Sequence, residues 1–409
     1  MKDLLKYEIR KQRNRKFVII VGVAVIAFYI VMGMLGNISL YGPWDANYFL
    51  THEEQRKAKK SMQHGVIDET YIANFEKDYR EFIDKHRLSD EKIAKNLKKD
   101  NERVEIEDIL YDWDYGYYVL SNEDFNSSEM LMLDDTYVLI QYSKNPLSVM
   151  TNYNRADEYS ETLGADYLKC AKKHMENMDI VAGYHYGWDI LVSINSQLPY
   201  TLGILIIVCF FAIFGAERET GMKTLIQVSK YGRRKTVTTK LIYAWGLTTV
   251  LWFAFQIIAL IGTAIVYGLE GGDCTVYWEL YPCPYGLTYI QYYLLQSVIS
   301  YMGTLVFMLL VCILSSLFRS RLSLMVGMGI VLATAFPITQ FTNSEPAFDV
   351  LQKIKVLTPT QLMGAFNTFQ IYQGYAFGKV VIRLPEMTAI ALVVELLVFL
   401  FIIYKRETK

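Results

Sequence analysis

The chain has 409 residues, 52% of them hydrophobic and only 20% charged, and its mean hydropathy is +0.17, a composition that few soluble proteins share. The net charge of −1 excludes a strongly basic nucleic-acid-binding protein, yet residues 37–196 carry 18 basic and 30 acidic side chains, whereas the remainder carries 23 basic and 12 acidic ones. Because nearly all the long apolar runs lie in that basic remainder, the sequence indicates a membrane protein with one polar, acidic domain.

Six apolar runs are long enough to cross a bilayer, because a hydrocarbon core of about 30 Å needs roughly 20 helical residues. Each run should be helical, since an open segment in lipid satisfies its backbone hydrogen bonds only as a helix. The fold class predicted is therefore an α-helical membrane protein with six transmembrane helices. These helices are expected at residues 17–36, 197–215, 241–267, 289–317, 322–341 and 387–404.

Lysine and arginine near the ends of these runs set the predicted orientation, because cytoplasmic loops are enriched in both. The segments 1–16 and 216–240, the turn after the fourth run and the C-terminal end hold 19 basic and 5 acidic residues. Both termini are therefore predicted to be cytoplasmic in the cell membrane, with residues 37–196 outside. The loop 342–386 is also predicted outside although it contains lysine and arginine. A cleavable signal peptide is the alternative for the first run, but that run is longer than a usual signal core and lacks a small-x-small cleavage site.

Residues 37–196 are expected to form a compact α+β domain inserted between the first two transmembrane helices. Large apolar side chains recur there at three- and four-residue spacing, which predicts an amphipathic helix over 67–87. They are Tyr71, Phe75, Tyr79, Phe82 and Ile83. A further helix is predicted after Ser89, and a last one over 157–178. The tyrosine-rich and β-branched segments 115–120 and 136–142 are predicted to be short strands.

The same domain contains every histidine of the chain: His52, His64, His86, His174 and His185. No two of them have a metal-ligand spacing such as H-x-x-x-H, and no CxxC accompanies them. The sequence therefore predicts no metal site and treats these histidines as surface or hydrogen-bonded side chains. It also contains no nucleophile elbow or plausible catalytic triad, so the chain is expected to be non-catalytic.

Cys274 and Cys283 share the short loop between the third and fourth predicted helices, which topology puts outside, where oxidation is possible. Eight residues separate them, and the two prolines of this loop could bring them together. We therefore favour a disulfide over two free thiols. Its role would be to hold the loop.

The segment after the second predicted helix has the most specific local pattern. Met222, Leu225, Ile226 and Ser229 fall at helical spacing, and acidic residues at 217 and 219 suit a helix N-terminus. The pattern predicts a short amphipathic helix that continues into a basic stretch before the third predicted helix. Such a helix at the inner surface could pass force from a partner to the two spans that it joins.

With this segment and its six predicted spans, the chain resembles the ABC type 2 permeases, the membrane subunits of ATP-driven exporters. The resemblance rests on an acidic-x-acidic-x-Gly element, a following apolar patch, a basic residue and then Lys240. It assigns ATPase coupling to Glu217, Arg218, Glu219, Gly221, Lys223, Leu225, Ile226, Arg233 and Arg234. Residues 1–16 resemble the family's interfacial helix, and Leu357-Thr358-Pro359 resembles its outer Leu-x-Pro element. The large outer domain departs from many members, which makes the cargo class harder to assign.

The resemblance implies that ATP and magnesium are bound by a separate ATP-binding cassette ATPase subunit, because no G-x-x-x-x-G-K-[ST] motif occurs in the chain. The chain itself is expected to hold no cofactor. It would pair with a second copy of itself or a related permease within the lipid bilayer, and nucleic acid is not an expected partner.

The function expected on this basis is export of an amphipathic, peptidic or lipid-like cargo. A sodium-type ion exporter is an alternative, although the polar residues within the predicted spans, such as Gln256, Thr263 and Glu395, look scattered. Glu395 is predicted to face a helix partner or a wet cavity, because a carboxylate in lipid is expensive. The alternative from another class is a membrane-anchored sensor that binds an extracellular ligand and signals to a cytoplasmic partner.

Overall fold

The computed structural model describes residues 4–6, 8, 16–30, 63–100, 102, 104–125, 127–144, 161–175, 179–211, 213–215, 217, 221, 232–278, 281–318, 327, 329, 353–365, 367–370 and 372–408. The chain divides into two compact units. The helical unit comprises Met1–Gly36, Asp189–Ile265 and Gln291–Lys409, and the second unit comprises Asn37–Trp188 and Val266–Ile290. The second unit thus begins where the polar domain is predicted to begin, but its first segment ends at Trp188, before the predicted boundary at residue 196, and it also contains Val266–Ile290.

Helices dominate the described residues. In chain order they are α1 (Lys16–Phe28), α2 (Glu69–His86), α3 (Asp90–Lys99), α4 (Ile106–Ile109), α5 (Gly116–Val119), α6 (Asn122–Phe125), α7 (Ser128–Lys144), α8 (Glu161–Met175), α9 (Tyr186–Ser196), α10 (Leu198–Phe210), α11 (Gly232–Val266), α12 (Tyr289–Leu317), α13 (Pro359–Gly364), α14 (Asn367–Gln370) and α15 (Leu384–Thr408). The strands form three antiparallel pairs: β1 (Gly65–Val66) with β2 (Val181–Ala182), β3 (Tyr277–Trp278) with β4 (Tyr281–Pro282), and β5 (Gly374–Phe377) with β6 (Val380–Arg383).

Three described helices are long and apolar enough to cross a membrane: α12, α15 and the Arg234–Val266 part of α11. They cover the third, fourth and sixth predicted runs. The second predicted run contains α10; α9 and α10 together are apolar and long enough to cross a membrane, but they are bent by 41° at the break between them. α1 lies in the first predicted run, which is described only as far as residue 30. The fifth run, 322–341, lies outside the described residues apart from 327 and 329.

The long helices expose apolar side chains and bury polar ones, the reverse of the pattern in a soluble protein. Large apolar side chains such as Val250, Phe253 and Ile265 of α11 are more than half exposed, whereas Thr248 and Gln256 of the same helix are buried. Burying polar groups while exposing apolar ones is unfavourable in water and favourable in lipid. The arrangement fits a helix that meets lipid on one side and its neighbours on the other.

Short-range packing holds the helical unit together. α10 packs against both α1 and α13, and Val306 of α12, Leu362 of α13 and Leu392 of α15 form a small buried cluster. Gly303 of α12 lies against the backbone of α13, because a Cβ built on it would stand 2.5 Å from the carbonyl carbon of Leu362. The close approach of these two helices therefore requires glycine at 303.

The second unit has its own apolar core around α2. All five side chains predicted to share one face of this helix are buried, so the predicted amphipathic helix is confirmed: Tyr71, Phe75, Tyr79, Phe82 and Ile83. Trp113 packs over this face and stacks on Tyr137 of α7, with ring centroids 4.3 Å apart. The helices predicted after Ser89 and over 157–178 correspond to α3 and α8.

The two predicted strands of this region are wrong. Residues 115–120 lie mostly in a 3-10 turn and α5, and residues 136–142 lie inside α7. Met130, Thr136, Leu139 and Ile140 of α7 are all buried, a spacing that fits a helix over the longer window. The tyrosine and β-branched content of the short window favoured a strand, but the helical burial pattern prevails. Among the described residues, the β structure of the second unit consists of the pairs β1–β2 and β3–β4 and two single antiparallel bridges, Arg87 with Leu120 and Thr275 with Thr288.

The predicted disulfide between Cys274 and Cys283 is absent, because both residues are buried thiols. The register of the β3–β4 hairpin explains this. The NH group of Cys283 donates to the carbonyl of Val276, whereas the carbonyl of Cys274 accepts from the NH group of Tyr289. The two cysteines thus lie beside different neighbours, and a disulfide needs Cβ atoms that face each other at about 4 Å.

Gly303→Ala should destabilise the protein, because the added methyl group overlaps the backbone of α13 and overpacking costs about 1–3 kcal/mol. The measurement is the midpoint of thermal unfolding in detergent. Gly246→Ala in α11 is the matched control, since a Cβ there meets no described atom within 4 Å. That control should be neutral or slightly stabilising because alanine is the better helix former. Equal midpoints for both variants would refute the tight α12–α13 contact.

Candidate functional site

The structure describes part of the segment that the sequence assigns to ATPase coupling. Glu217, Gly221 and Arg234 are described, as is the backbone of Arg233 at the start of α11. The other assigned residues lie outside the described part of the chain: Arg218, Glu219, Lys223, Leu225 and Ile226. The geometry therefore concerns the two ends of the segment, where it leaves α10 and enters α11.

Lys240 of α11 and Glu217 form a buried ion pair between these two ends. Lys240 is 1% exposed, and its Nζ lies 2.6 Å from Glu217 Oε1. The same ammonium group donates to the carbonyl of Ile213 at 2.8 Å and stands 5.0 Å from the centre of the Phe214 ring. A charge with so little access to water needs partners of this kind. The pair therefore attaches Glu217, at the start of the segment assigned to ATPase coupling (the coupling segment, residues 217–234), to α11.

Gly221 has a backbone φ of +70°, in the left-handed region. A Cβ built on it would meet no described atom within 4 Å, so space alone would admit another residue. The requirement for glycine comes from the backbone conformation, which a side chain makes costly. The glycine of the acidic-x-acidic-x-Gly element thus allows the chain to turn shortly after Glu217.

A second group of polar side chains lies among the apolar helices. Gln256 of α11 donates to Asn195 Oδ1 of α9 at 2.8 Å, and Asn195 donates to Gln296 Oε1 of α12 at 3.3 Å. The hydroxyl of Tyr293 donates to Gln256 Oε1 at 3.0 Å. The expectation that Gln256 is an isolated polar residue was therefore wrong. This amide network, Asn195, Gln256, Gln296 and Tyr293, joins three helices.

The amide network continues into α13 through backbone carbonyls. Gln296 Nε2 donates to the carbonyl of Gly364 at 3.2 Å, and the hydroxyl of Ser300 donates to the carbonyl of Met363 at 2.6 Å. Trp252 of α11 in turn donates to the Ser300 hydroxyl at 3.2 Å. α13 begins at Pro359, the proline of the Leu-Thr-Pro element. That element therefore leads into a helix held by α11 and α12.

Two of the polar residues that the sequence analysis named, Thr263 and Glu395, lie outside this network. Thr263 Oγ1 is buried, as is Glu395 Oε2 of α15, and neither atom has a hydrogen-bond partner within the described part of the chain. Glu395 as a residue is partly buried. The predicted partner of Glu395 is thus not among the described residues.

The second unit contains a groove along α2 with a volume of about 380 Å³. Its wall is aromatic, with Tyr71, Phe75 and Phe82, and three of its seven other side chains are acidic. The acidic ones are Asp78, Glu81 and Glu129, with Lys85 as the basic member of the lining. An aromatic wall beside carboxylates suits a ligand that is both apolar and cationic.

The Glu217–Lys240 pair and the amide network were not predicted from the sequence. Both join segments that lie far apart along the chain, so no local spacing marks them. The pair had one sequence signal, a single lysine at the start of a long apolar run. The network had none, because Asn195 falls at the edge of a predicted run and the glutamines lie far apart along the chain.

Comparison with protein families gives a match over almost the whole chain. A family model described as ABC-2 family transporter protein matches residues 15–405. A comparison with curated proteins gives no match.

Removing either charge of the buried pair should be costly, and removing both should cost less than the sum. Lys240→Met or Glu217→Gln takes away one charged partner, an effect of about 3–5 kcal/mol for buried pairs. Thermal unfolding of the two single variants and the double variant in detergent measures this coupling.

The matched control is the pair Lys77–Glu81 of α2, whose side chains are 73% and 69% exposed at 3.7 Å. Glu81→Gln should change stability by less than about 1 kcal/mol. Strictly additive effects of Lys240→Met and Glu217→Gln would show that the two side chains do not stabilise each other.

Proposed function

The chain belongs to the ABC-2 family of transporter proteins, and on this basis we propose that it is the permease subunit of an ATP-driven exporter. It is a membrane protein, and permeases of this family are generally non-catalytic. ATP and magnesium are bound by a separate ATP-binding cassette ATPase subunit. Two permease chains, identical or related, form the translocation unit in the cell membrane, with both termini cytoplasmic and residues 37–196 outside.

The Glu217–Lys240 ion pair is the observation that best supports this mechanism. An ATPase that pushes on the coupling segment can move the helices only if the segment is firmly attached to them. Attachment through a side chain that is 1% exposed resists solvent and salt better than a surface contact does. Displacement of the segment is therefore passed to α10 and α11 together, instead of being lost as local bending.

The acidic aromatic groove of the second unit supports an amphipathic, cationic cargo, with a peptide as the preferred class. Asp78, Glu81 and Glu129 would attract positive charge, while Phe75 and Phe82 would contact apolar side chains. Such a groove on the outer domain would receive cargo that has left the membrane.

An ion exporter is less well supported by the amide network. The three amide oxygens of Asn195, Gln256 and Gln296 each already accept a hydrogen bond from a neighbouring side chain. Oxygen atoms used in this way are poorly available to a cation. The network instead suits a structural role, joining α9, α11 and α12.

Purification of the tagged chain from its cells tests the proposal. A P-loop ATPase should co-purify, and replacing Leu225 and Ile226 by aspartate should reduce the amount recovered at least tenfold. The reason is that the apolar patch of the coupling segment is the surface expected to enter the ATPase, and interface hot spots of this kind cost 2 kcal/mol or more.

The matched control replaces Phe377 and Val380 by aspartate. These residues flank the turn of the β5–β6 hairpin, are 59% and 61% exposed, and lie in the loop predicted to be outside. ATPase recovery should be unchanged. Recovery of a kinase in place of an ATPase would favour the sensor alternative, and loss of the ATPase only in the control variant would overturn the assignment of the coupling segment.

A further inference from the structure

His64 lies at one end of the short β1–β2 ladder of the second unit. Gly65 pairs with Ala182 across this ladder, and antiparallel pairing places His64 beside Gly183. A Cβ on Gly183 would overlap His64 Nδ1 and stand 3.0 Å from Cys274 Sγ. Glycine at 183 therefore keeps open the space next to an imidazole nitrogen and a thiol.

The loop before β3 brings a carboxylate and that thiol to the same place. The backbone NH of Thr275 donates to the carbonyl of Val181 at 3.0 Å, and the hydroxyl of Thr275 accepts from the NH of Val181 at 3.1 Å. These two bonds fix the loop along β2. Asp273 and Cys274, the residues that precede Thr275, are thereby held next to His64.

The three side chains have the geometry of a metal-ligand set. His64 Nε2 lies 3.2 Å from Asp273 Oδ2, and His64 Nδ1 lies 3.9 Å from Cys274 Sγ. One donor atom from each residue can be chosen so that all three lie within 4.8 Å of one another. Bond lengths of tetrahedral zinc place such donors about 3.3–3.6 Å apart. Small side-chain rotations would close the set.

The exposure of His64 and Asp273 makes these rotations inexpensive. The side chains of His64 and Asp273 are 51% and 65% exposed, so they can turn without disturbing the core. Cys274 is 1% exposed and supplies a fixed position. The set therefore combines one rigid sulfur with two adjustable donors.

We propose that His64, Asp273 and Cys274 bind one Zn²⁺ ion. Thiolate, imidazole and carboxylate together are the donors that zinc accepts, whereas Mg²⁺ and Ca²⁺ prefer oxygen alone. Binding forms a bond from Cys274 Sγ to the metal and releases the thiol proton to solvent. Water completes the fourth position, which leaves the ion open on the side of the two exposed ligands.

Zinc at this point would join segments that are far apart in sequence. His64 is separated from Asp273 by 209 positions, which is why no short ligand spacing marks the site. The ion would link the chain before α2 to the loop between α11 and α12, both of them parts of the second unit. It would stabilise that unit in proportion to the metal concentration, because an ion that binds only the folded state shifts the equilibrium toward it.

The full chain in detergent, stripped of metal with a chelator, tests the proposal by titration with Co²⁺ as a spectroscopic probe and with Zn²⁺ as competitor. We expect one Co²⁺ per chain, a thiolate-to-cobalt charge-transfer band, displacement by Zn²⁺ and no response to Mg²⁺. Cys274→Ser should abolish the band. His64→Gln and Asp273→Asn should each weaken binding by roughly 10- to 100-fold, as loss of a ligand or of its supporting group does.

Two residues of the same unit provide matched controls. Cys283 is a second buried thiol of the same loop, but it is not part of the His64–Asp273–Cys274 cluster. His86 also faces a carboxylate, since its Nδ1 lies 2.8 Å from Asp124 Oδ1. It does not belong to the His64–Asp273–Cys274 cluster. Cys283→Ser and His86→Gln should bind cobalt like the unmodified chain.

Gly183→Ala supplies a test in which none of the three ligand residues is replaced. The added methyl group fills the space beside His64 Nδ1, so binding should fall at least tenfold. Absence of stoichiometric cobalt binding in the unmodified chain would overturn the proposal. So would equal affinities of Asp273→Asn and the His86→Gln control, and Asp273 is exposed enough that its substitution leaves the fold intact.

Discussion

The helical unit depends on one constraint: a polar group placed among apolar helices is stabilised only by a partner inside the protein. Lipid offers no hydrogen bonds, so each unmatched polar group there costs several kcal/mol. α11, α12 and α15 carry large exposed apolar residues, whereas polar side chains such as Lys240 and Gln256 of α11 and Gln296 of α12 are buried. The positions of these few polar side chains therefore decide which helices neighbour each other and at what register.

Two groups of polar side chains join the helices of the helical unit at different places. The amide network joins α9, α11 and α12 and reaches α13 through backbone carbonyls. It lies next to the bend between α9 and α10, where Asn195 and the carbonyl of Ser196 meet Gln296 and Gly364. The Glu217–Lys240 pair holds the other end of α10. α10 is thus held at both of its ends by polar contacts.

Local sequence predicted what depends on periodicity, and it failed where distant segments meet. The apolar run 289–317 coincides with α12, and the buried face of α2 was readable from spacing alone. The strand predicted at 136–142 was wrong, because the short window reported β propensity while the longer window of α7 has a helical pattern. The cysteines of the β3–β4 hairpin were paired by proximity in sequence, but strand register separates them. The His64–Asp273–Cys274 cluster and the Glu217–Lys240 pair exist only through tertiary contacts.

The proposed mechanism has an ATPase act on the coupling segment at the cytoplasmic side of the membrane, with residues 37–196 outside. Labelling of single cysteines by a membrane-impermeant maleimide in intact cells tests this directly, and background should be low because all five native cysteines are buried. Cysteine at the exposed positions Glu76 and Lys379 should react in intact cells, and cysteine at Arg234 only after permeabilisation. Reaction of the Arg234 position in intact cells, or protection of the Glu76 position, would contradict the account.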